Sequence, residues 1–290
     1  MFEVRRVVPC SNVLGECPVW SAAAGVLWWV SVTDPSTLSS FDPLTGTVRT
    51  MALPKPLGTL AERRGGGMLL VFRSGLATLD AFGGTITPLD MALPRHPDGR
   101  FNDGKCDARG RMWVGTMDRH GKSAIGELFR IDASGCTRMD GDITTANGLG
   151  WSPDGRTLYF TDSAARSIFA YDFDVDSGSI ANRRVYVSLD EAPGRPDGLT
   201  VDAEGFVWSA RVSGSRIDRY DPYGKLERTV ALPFERPTSV CFGGARLETL
   251  YITSSTMGLD AAALARQPGA GGLFAVETGI KGQLSHAYAG

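Results

Sequence analysis

Glu16, Asn102, Asn147 and Asp197 recur at one phase of a repeat, and four oxygen-bearing side chains are expected to converge there, a set from which a metal site could be built. The phase is counted back from a bulky residue in each of six short strand-like runs: Trp28, Leu70, Trp113, Tyr159, Trp208 and Tyr251. Glu16 stands 12 residues before Trp28, Asn102 11 before Trp113, Asn147 12 before Tyr159 and Asp197 11 before Trp208. In the other two repeats the same phase holds Gly58 or Thr59 and Thr238 or Ser239, all small and uncharged. Glu, Asp and Asn oxygens are hard ligands suited to calcium, magnesium or manganese, and carboxylates also serve zinc. Glu16 precedes an apolar run, Cys17-Pro18-Val19-Trp20, where an unpaired charge is costly and a divalent metal ion relieves it. Each residue also has a structural reading, with Asn147-Gly148 a hairpin dipeptide and Pro196-Asp197-Gly198 a turn tripeptide. The other two Pro-Asp-Gly tripeptides place Asp98 and Asp154 at different phases, 15 and 5 residues before their reference positions, and those two read as turn formers. Spacing alone leaves the metal-site and turn readings of Asn147 and Asp197 open.

The elements that position these residues follow from the repeat itself. The six reference residues are 42, 43, 46, 49 and 43 apart, the period of a propeller blade of four antiparallel strands. Turns containing glycine, as in Asp154-Gly155-Arg156, separate the runs, and no long amphipathic helix interrupts them. The chain is therefore expected to be all-β, a single six-bladed β-propeller domain spanning residues 1–290. A propeller must hide its two free sheet edges. The strand-like segments 2–8 and 272–276 are left over at the two ends and are expected to share the last blade, closing the ring. Each phase residue then opens the innermost strand of its blade and faces the central channel.

Composition excludes several classes. The 290 residues are 42% hydrophobic and 21% charged, with a formal net charge of -2 and interspersed signs, so neither a nucleic-acid nor an anionic-membrane partner is indicated. No apolar stretch reaches the roughly 20 residues of a membrane-spanning helix. The five cysteines, Cys10, Cys17, Cys106, Cys136 and Cys241, are odd in number and scattered, which suits reduced thiols and a cytoplasmic location. With three histidines, His96, His120 and His286, a His-rich zinc site is excluded, and a metal would have to use oxygen ligands.

Several segments in order resemble the regucalcin/gluconolactonase family of metal-dependent sugar lactonases. They include Leu14-Gly15-Glu16-Cys17-Pro18-Val19-Trp20, Arg100-Phe101-Asn102-Asp103-Gly104-Lys105, Gly115-Thr116-Met117, Asn147-Gly148-Leu149-Gly150-Trp151-Ser152, Pro196-Asp197-Gly198 and Cys241-Phe242-Gly243-Gly244. The resemblance implies that Glu16, Asn147 and Asp197 bind one divalent metal ion, whether calcium, zinc, manganese or magnesium. It also implies that Arg100 and Asn102 contact substrate hydroxyls or an ordered water. Animal members carry a sugar-binding glutamate after Gly-Thr-Met; here the segment is Asp118-Arg119-His120-Gly121-Lys122-Ser123, with His120 at about that place as a further candidate substrate contact. The reaction implied is hydrolysis of an aldonolactone, a small-molecule sugar lactone, with Asp197 as both ligand and general base. Its rivals are a non-catalytic calcium-binding propeller, and a phosphotriesterase or aryl-ester hydrolase on the same scaffold.

Overall fold

Runs rich in aromatic and β-branched residues, broken by glycine turns, form strands throughout the chain. The computed structural model describes residues 2–33 and 35–290. After β1 (Val4–Val8), the first blade comprises β2 (Gly15–Ser21), β3 (Val26–Ser31), β4 (Thr37–Phe41) and β5 (Val48–Ala52). The second holds β6 (Leu57–Glu62), β7 (Met68–Phe72), β8 (Gly75–Leu79) and β9 (Ile86–Leu89). The third holds β10 (Gly99–Cys106), β11 (Met112–Asp118), β12 (Gly126–Asp132) and β13 (Gly135–Ile143). The fourth holds β14 (Ala146–Trp151), β15 (Thr157–Asp162), β16 (Ser167–Asp174) and β17 (Ser179–Ser188). The fifth holds β18 (Arg195–Val201), β19 (Val207–Val212), β20 (Arg216–Tyr220) and β21 (Leu226–Ala231). The sixth begins with β22 (Pro237–Gly243) and β23 (Thr249–Ser254), passes the short helix α1 (Ala261–Arg266), and continues with β24 (Leu273–Glu277). Its fourth strand is β1, in the order β22-β23-β24-β1, so the two chain segments expected to share a blade do so. The six antiparallel sheets form a six-bladed β-propeller.

Blades adhere through apolar clusters between neighbouring faces. Trp113 packs with Leu158 and Phe160 of the next blade, Tyr159 with Val207, Trp208 with Leu250 and Ile252, and Tyr251 with Leu27 and Trp29. Trp28 likewise faces the second blade. Leu70 is the exception. It points back into the cluster holding Trp28, and Leu69 takes the equivalent slot against Met112 and Val114. Every residue of β7 is buried, so its alternation carries no face information, and the expected register is off by one there.

Two of the reference tryptophans are anchored by the turn before them. Asp107 accepts from the main-chain N–H groups of Arg109 and Arg111, and from Trp113 Nε1 at 2.9 Å. Asp202 repeats this with Glu204, Phe206 and Trp208 Nε1 at 2.8 Å, and its carboxylate also pairs with Arg219. Both aspartates are fully buried. Asp202→Ala is expected to cost about 3–5 kcal/mol, since it leaves the buried indole N–H and the Nε of Arg219 without acceptors and removes the anchor of the turn, although Arg219 keeps Glu204 and Glu227. Thermal and denaturant melts of the variant measure it.

Every innermost strand has a register shift near its start: Glu16/Val19, Leu57/Thr59, Phe101/Gly104, Asn147/Leu149, Pro196/Leu199 and Pro237/Ser239. A bulge leaves a residue out of the ladder and re-aims its side chain, and here the device recurs at one phase in all six blades. Cys17, in the first of these bulges, adopts a left-handed φ of 49°. At these bulges neighbouring inner strands meet closely. A Cβ on Gly58 would lie 2.5 Å from Asn102 O, and one on Gly148 would lie 2.5 Å from Leu199 N. Asp98 and Asp154 are exposed in turns, as their phase implies.

Candidate active site in the channel mouth

Glu16, Asn102, Asn147 and Asp197 lie at the same end of the channel, one each from β2, β10, β14 and β18: Asn102 and Asp197 sit inside their bulges, and Glu16 and Asn147 are the last paired residues before theirs. Burial, and then the Asp197 and Asp103 carboxylates beside it, push the Glu16 carboxyl well above the usual carboxylate range. Burial and Asp103 do the same to Asp197, while Arg236 opposes the shift. Burial raises Asp103 as well, opposed by Lys105. Three buried carboxylates thus lie near enough along the channel for charge on one to disfavour charge on another.

A relay of hydrogen bonds fixes the polar partners. Arg100 Nη1 donates to Asn102 Oδ1 at 2.8 Å, and Asn102 Nδ2 donates to Asn147 Oδ1 at 2.8 Å and to Ala146 O at 2.7 Å. Asn147 Nδ2 donates to Ser163 Oγ at 2.7 Å, and Ser163 Oγ donates to Pro196 O at 2.6 Å. The relay runs from the third blade to the residue before Asp197 in the fifth. It also sets the amide of Asn147, nitrogen toward Ser163 and oxygen toward Asn102. Asn147 Oδ1 keeps a free lone pair after that single bond. Two buried carboxylates beside an amide oxygen make a donor set whose chemistry would fit a hard divalent cation.

Three residues that spacing did not single out belong here. Asp103 is carried into the channel by the same bulge as Asn102, and Lys105, two residues on, donates from Nζ to Leu199 O at 2.9 Å. Ser163 lies just beyond β15 in a position only the fold reveals, although β15 pairs with the strand carrying Asn147. In the second and sixth blades Thr59 and Thr238 are small, as expected, and spend their hydroxyls on Gly104 O and Gly15 O. His120 stands apart from the relay: its main-chain N–H donates to Asp118 Oδ1 in the turn after β11, and the residue is exposed.

Beneath the site the inner strands enclose a cavity of about 70 Å³ lined in part by Asp103, Lys105 and Cys241. Its far end is crossed by residues 281–286. Gln283 Nε2 donates to the carbonyls of Trp151, Val201 and Asp202, and Gly282 bridges Asp202. Residues 281–286 therefore cover part of the channel at the end away from Glu16. The five cysteines are free thiols, with burial holding Cys17 and Cys241 up at about 12.

Known proteins match this chain along its length. Regucalcin of Xenopus laevis is 36% identical over 298 residues, covering 100% of this chain and 99% of the relative. A 6-deoxy-6-sulfogluconolactonase of Pseudomonas putida is 38% identical over 296 residues, covering 99% of each. Among solved structures, a calcium-binding protein, regucalcin, from Agrobacterium tumefaciens superposes with a TM-score of 0.93 at 28% identity, covering 99% of this chain and 97% of that one. Residues 14–256 match the model of one family, and the chain belongs to it: the SMP-30/gluconolactonase/LRE-like proteins.

Proposed function

We propose that the protein is a metal-dependent lactonase that opens an aldonolactone to the sugar acid. The observation that carries this reading is the trio Glu16, Asn147 and Asp197, two buried carboxylates with raised proton affinity and an oriented amide oxygen at one end of the channel. Relatives named gluconolactonase or sulfogluconolactonase support the same chemistry. Glu16, Asn147 and Asp197 would hold one divalent ion. When bound, the ion supplies Lewis-acid polarisation of the lactone carbonyl and stabilisation of the tetrahedral oxyanion. Asp197 accepts a proton at its carboxylate from the water that attacks the carbonyl carbon, and returns it to the ring oxygen as the ester C–O bond breaks. Arg100 and Asn102, already tied together, orient the ring hydroxyls. His120 is retained only as a contact for a substrate reaching the rim.

The test is hydrolysis of five- and six-membered aldonolactones by metal-stripped and metal-restored protein, followed by acid release. Activity that returns with the metal is expected. Hydrolysis unaffected by stripping, or confined to aryl esters and phosphotriesters, overturns the proposal. A calcium-binding propeller without catalysis would bind the ion and turn over no lactone.

Ser163 supplies a finer test. Its hydroxyl both orients Asn147 and joins it to Pro196, so Ser163→Ala frees the amide to rotate. Metal affinity measured by calorimetry should fall about 10–100-fold, the usual loss when a ligand's orienting partner is removed. Ser163→Thr should retain most of it.

A further inference from the structure

The turn at residues 163–166 joins β15 to β16 in the fourth blade, and both of its ends are bonded to segments that lead into the site. Asp162, the last residue of β15, is 1% exposed. Its Oδ1 accepts from Ala164 N–H at 3.2 Å and Ala165 N–H at 3.3 Å within the turn, and from Thr145 N–H at 3.0 Å. Its Oδ2 accepts from Thr144 N–H at 2.9 Å. One buried carboxylate thereby ties the turn to residues 144–145, which lead directly into Ala146 and Asn147. Within the turn itself, Ser163 Oγ joins Asn147 Nδ2 to Pro196 O.

Arg166 closes the turn with a left-handed φ of 53° and sends its guanidinium to residues 189–194, the loop between β17 and β18. Its Nη2 donates to Ala192 O at 2.6 Å, Leu189 O at 2.9 Å and Gly194 O at 3.1 Å, and its Nε to Leu189 O at 3.2 Å. Leu189 N–H returns a bond to Arg166 O at 3.0 Å. Gly194 O is gripped a second time from the fifth blade, by Arg211 Nη2 at 3.1 Å, and that nitrogen also reaches Pro193 O at 2.9 Å. Arg211 is itself buried and held by Asp218 at 3.1 Å and Tyr220 Oη at 3.2 Å. The backbone between the two guanidinium groups has no slack: Gly194 has a φ of 72°, and a Cβ there would lie 2.6 Å from Val212 O. Arg195, Pro196 and Asp197 follow at once.

We propose that Asp162 and Arg166 are positioning residues for the reaction: they clamp the approaches to Asn147 and Asp197 to one turn, and so fix the amide oxygen relative to the carboxylate without touching ion or substrate. This deepens the lactonase reading and rests on it for the roles of Asn147 and Asp197. The separation matters because oxygen ligands bind a hard ion only within about 2.0–2.6 Å, so a shift of about 1 Å at either ligand takes it out of range. A misplacement of that size at a reacting group costs about 10²-fold in rate. A guanidinium suits the task, since its rigid fork of charged donors can hold several carbonyls of one loop together.

The experiment uses Arg166→Ala, the milder Arg166→Gln and Asp162→Asn, all assayed well below their melting temperatures. Arg130→Ala is the control, because Arg130 makes the same kind of bond to Ser177 O at 2.9 Å and Gly178 O at 3.0 Å, in the turn between β16 and β17. Affinity for calcium or manganese, measured by calorimetry, should fall about 10–100-fold in Arg166→Ala, less in Arg166→Gln, and about tenfold in Asp162→Asn. At saturating metal, kcat for gluconolactone should fall about 10–100-fold in Arg166→Ala with KM little changed. Arg130→Ala should alter neither quantity. A merely structural role would lower the melting temperature and leave affinity and kcat of the folded variants at wild-type values, and that result overturns the proposal. The Asp197→Asn background gives a second reading: with the base gone, adding Arg166→Ala should cost kcat much less than it does in the wild type. An equal fold-loss in both backgrounds overturns the proposal too. If affinity falls as expected but the wild type hydrolyses no lactone, the lactonase reading fails and the clamp stands, since metal binding needs no turnover.

Discussion

Asp197→Asn is expected to lower aldonolactone turnover by about 10²–10⁴-fold at saturating metal, the size of a general-base contribution. The substitution keeps an oxygen of similar reach but removes the negative charge and the proton acceptor. Any loss due to weaker metal binding recovers when metal is added, whereas the loss of the base does not. Assays across a metal titration, on protein shown to be folded, separate the two. Arg100→Ala provides the contrast. It should mainly raise the substrate concentration needed, because the hydrogen bonds it makes to the ring serve ground state and transition state alike. Full recovery of Asp197→Asn by excess metal would leave Asp197 a ligand only.

Glu16→Gln should act in opposite directions on the two forms of the protein. With metal bound it removes a charged ligand, and affinity should fall by at least about 100-fold, since the charge count of the ligand set is a main determinant of affinity. In the metal-free protein it removes a charge that burial, Asp197 and Asp103 all disfavour. A carboxyl with a raised folded-state pKa contributes stability only while protonated; that contribution is lost as pH rises from the ordinary carboxylate range toward the raised value. Gln mimics the protonated form, so the metal-free variant should melt higher than the metal-free wild type at neutral pH, by about 2–4 °C for each kcal/mol of repulsion removed. The gap should close as pH falls and Glu16 takes up its proton. Melting curves with and without chelator, at neutral and mildly acidic pH, check both signs. A variant that melts lower than wild type in both forms would mean that Glu16 is not held in a carboxylate cluster.

Much of this site is legible in the sequence because one physical device generates it. A bulge at a fixed place in a repeated strand turns a spatial convergence into a regular spacing, so counting finds Glu16, Asn102, Asn147 and Asp197. Phase also separates Asp197 from the exposed Asp98 and Asp154, which share its local sequence. What stays hidden depends on contacts that no period encodes. Ser163 touches Asn147 within its own blade, but it reaches Pro196 only because the fourth and fifth blades are neighbours. Asp103 lies one residue off phase and enters the channel because the bulge takes in both it and Asn102. The slip at Leu70 has the reverse cause. A strand buried on both faces looks the same in either register, and only packing against Trp28 or against Met112 decides.

The shared sixth blade has a consequence for the order of events as the chain is made. Five blades consist of consecutive strands and can form one after another as they emerge. The sixth joins Val4 to Val276, so β1 must remain without its partner while about 265 further residues are added. At about 5–20 residues per second that is a delay of roughly 13–50 s. During it an unfinished arc exposes a sheet edge and the apolar faces of its end blades, the features through which strands of different chains pair with one another. Closure is also the contact of greatest sequence separation, with the largest loop entropy to overcome, so ring closure sets the pace of folding and the interval in which the nascent protein is open to aggregation.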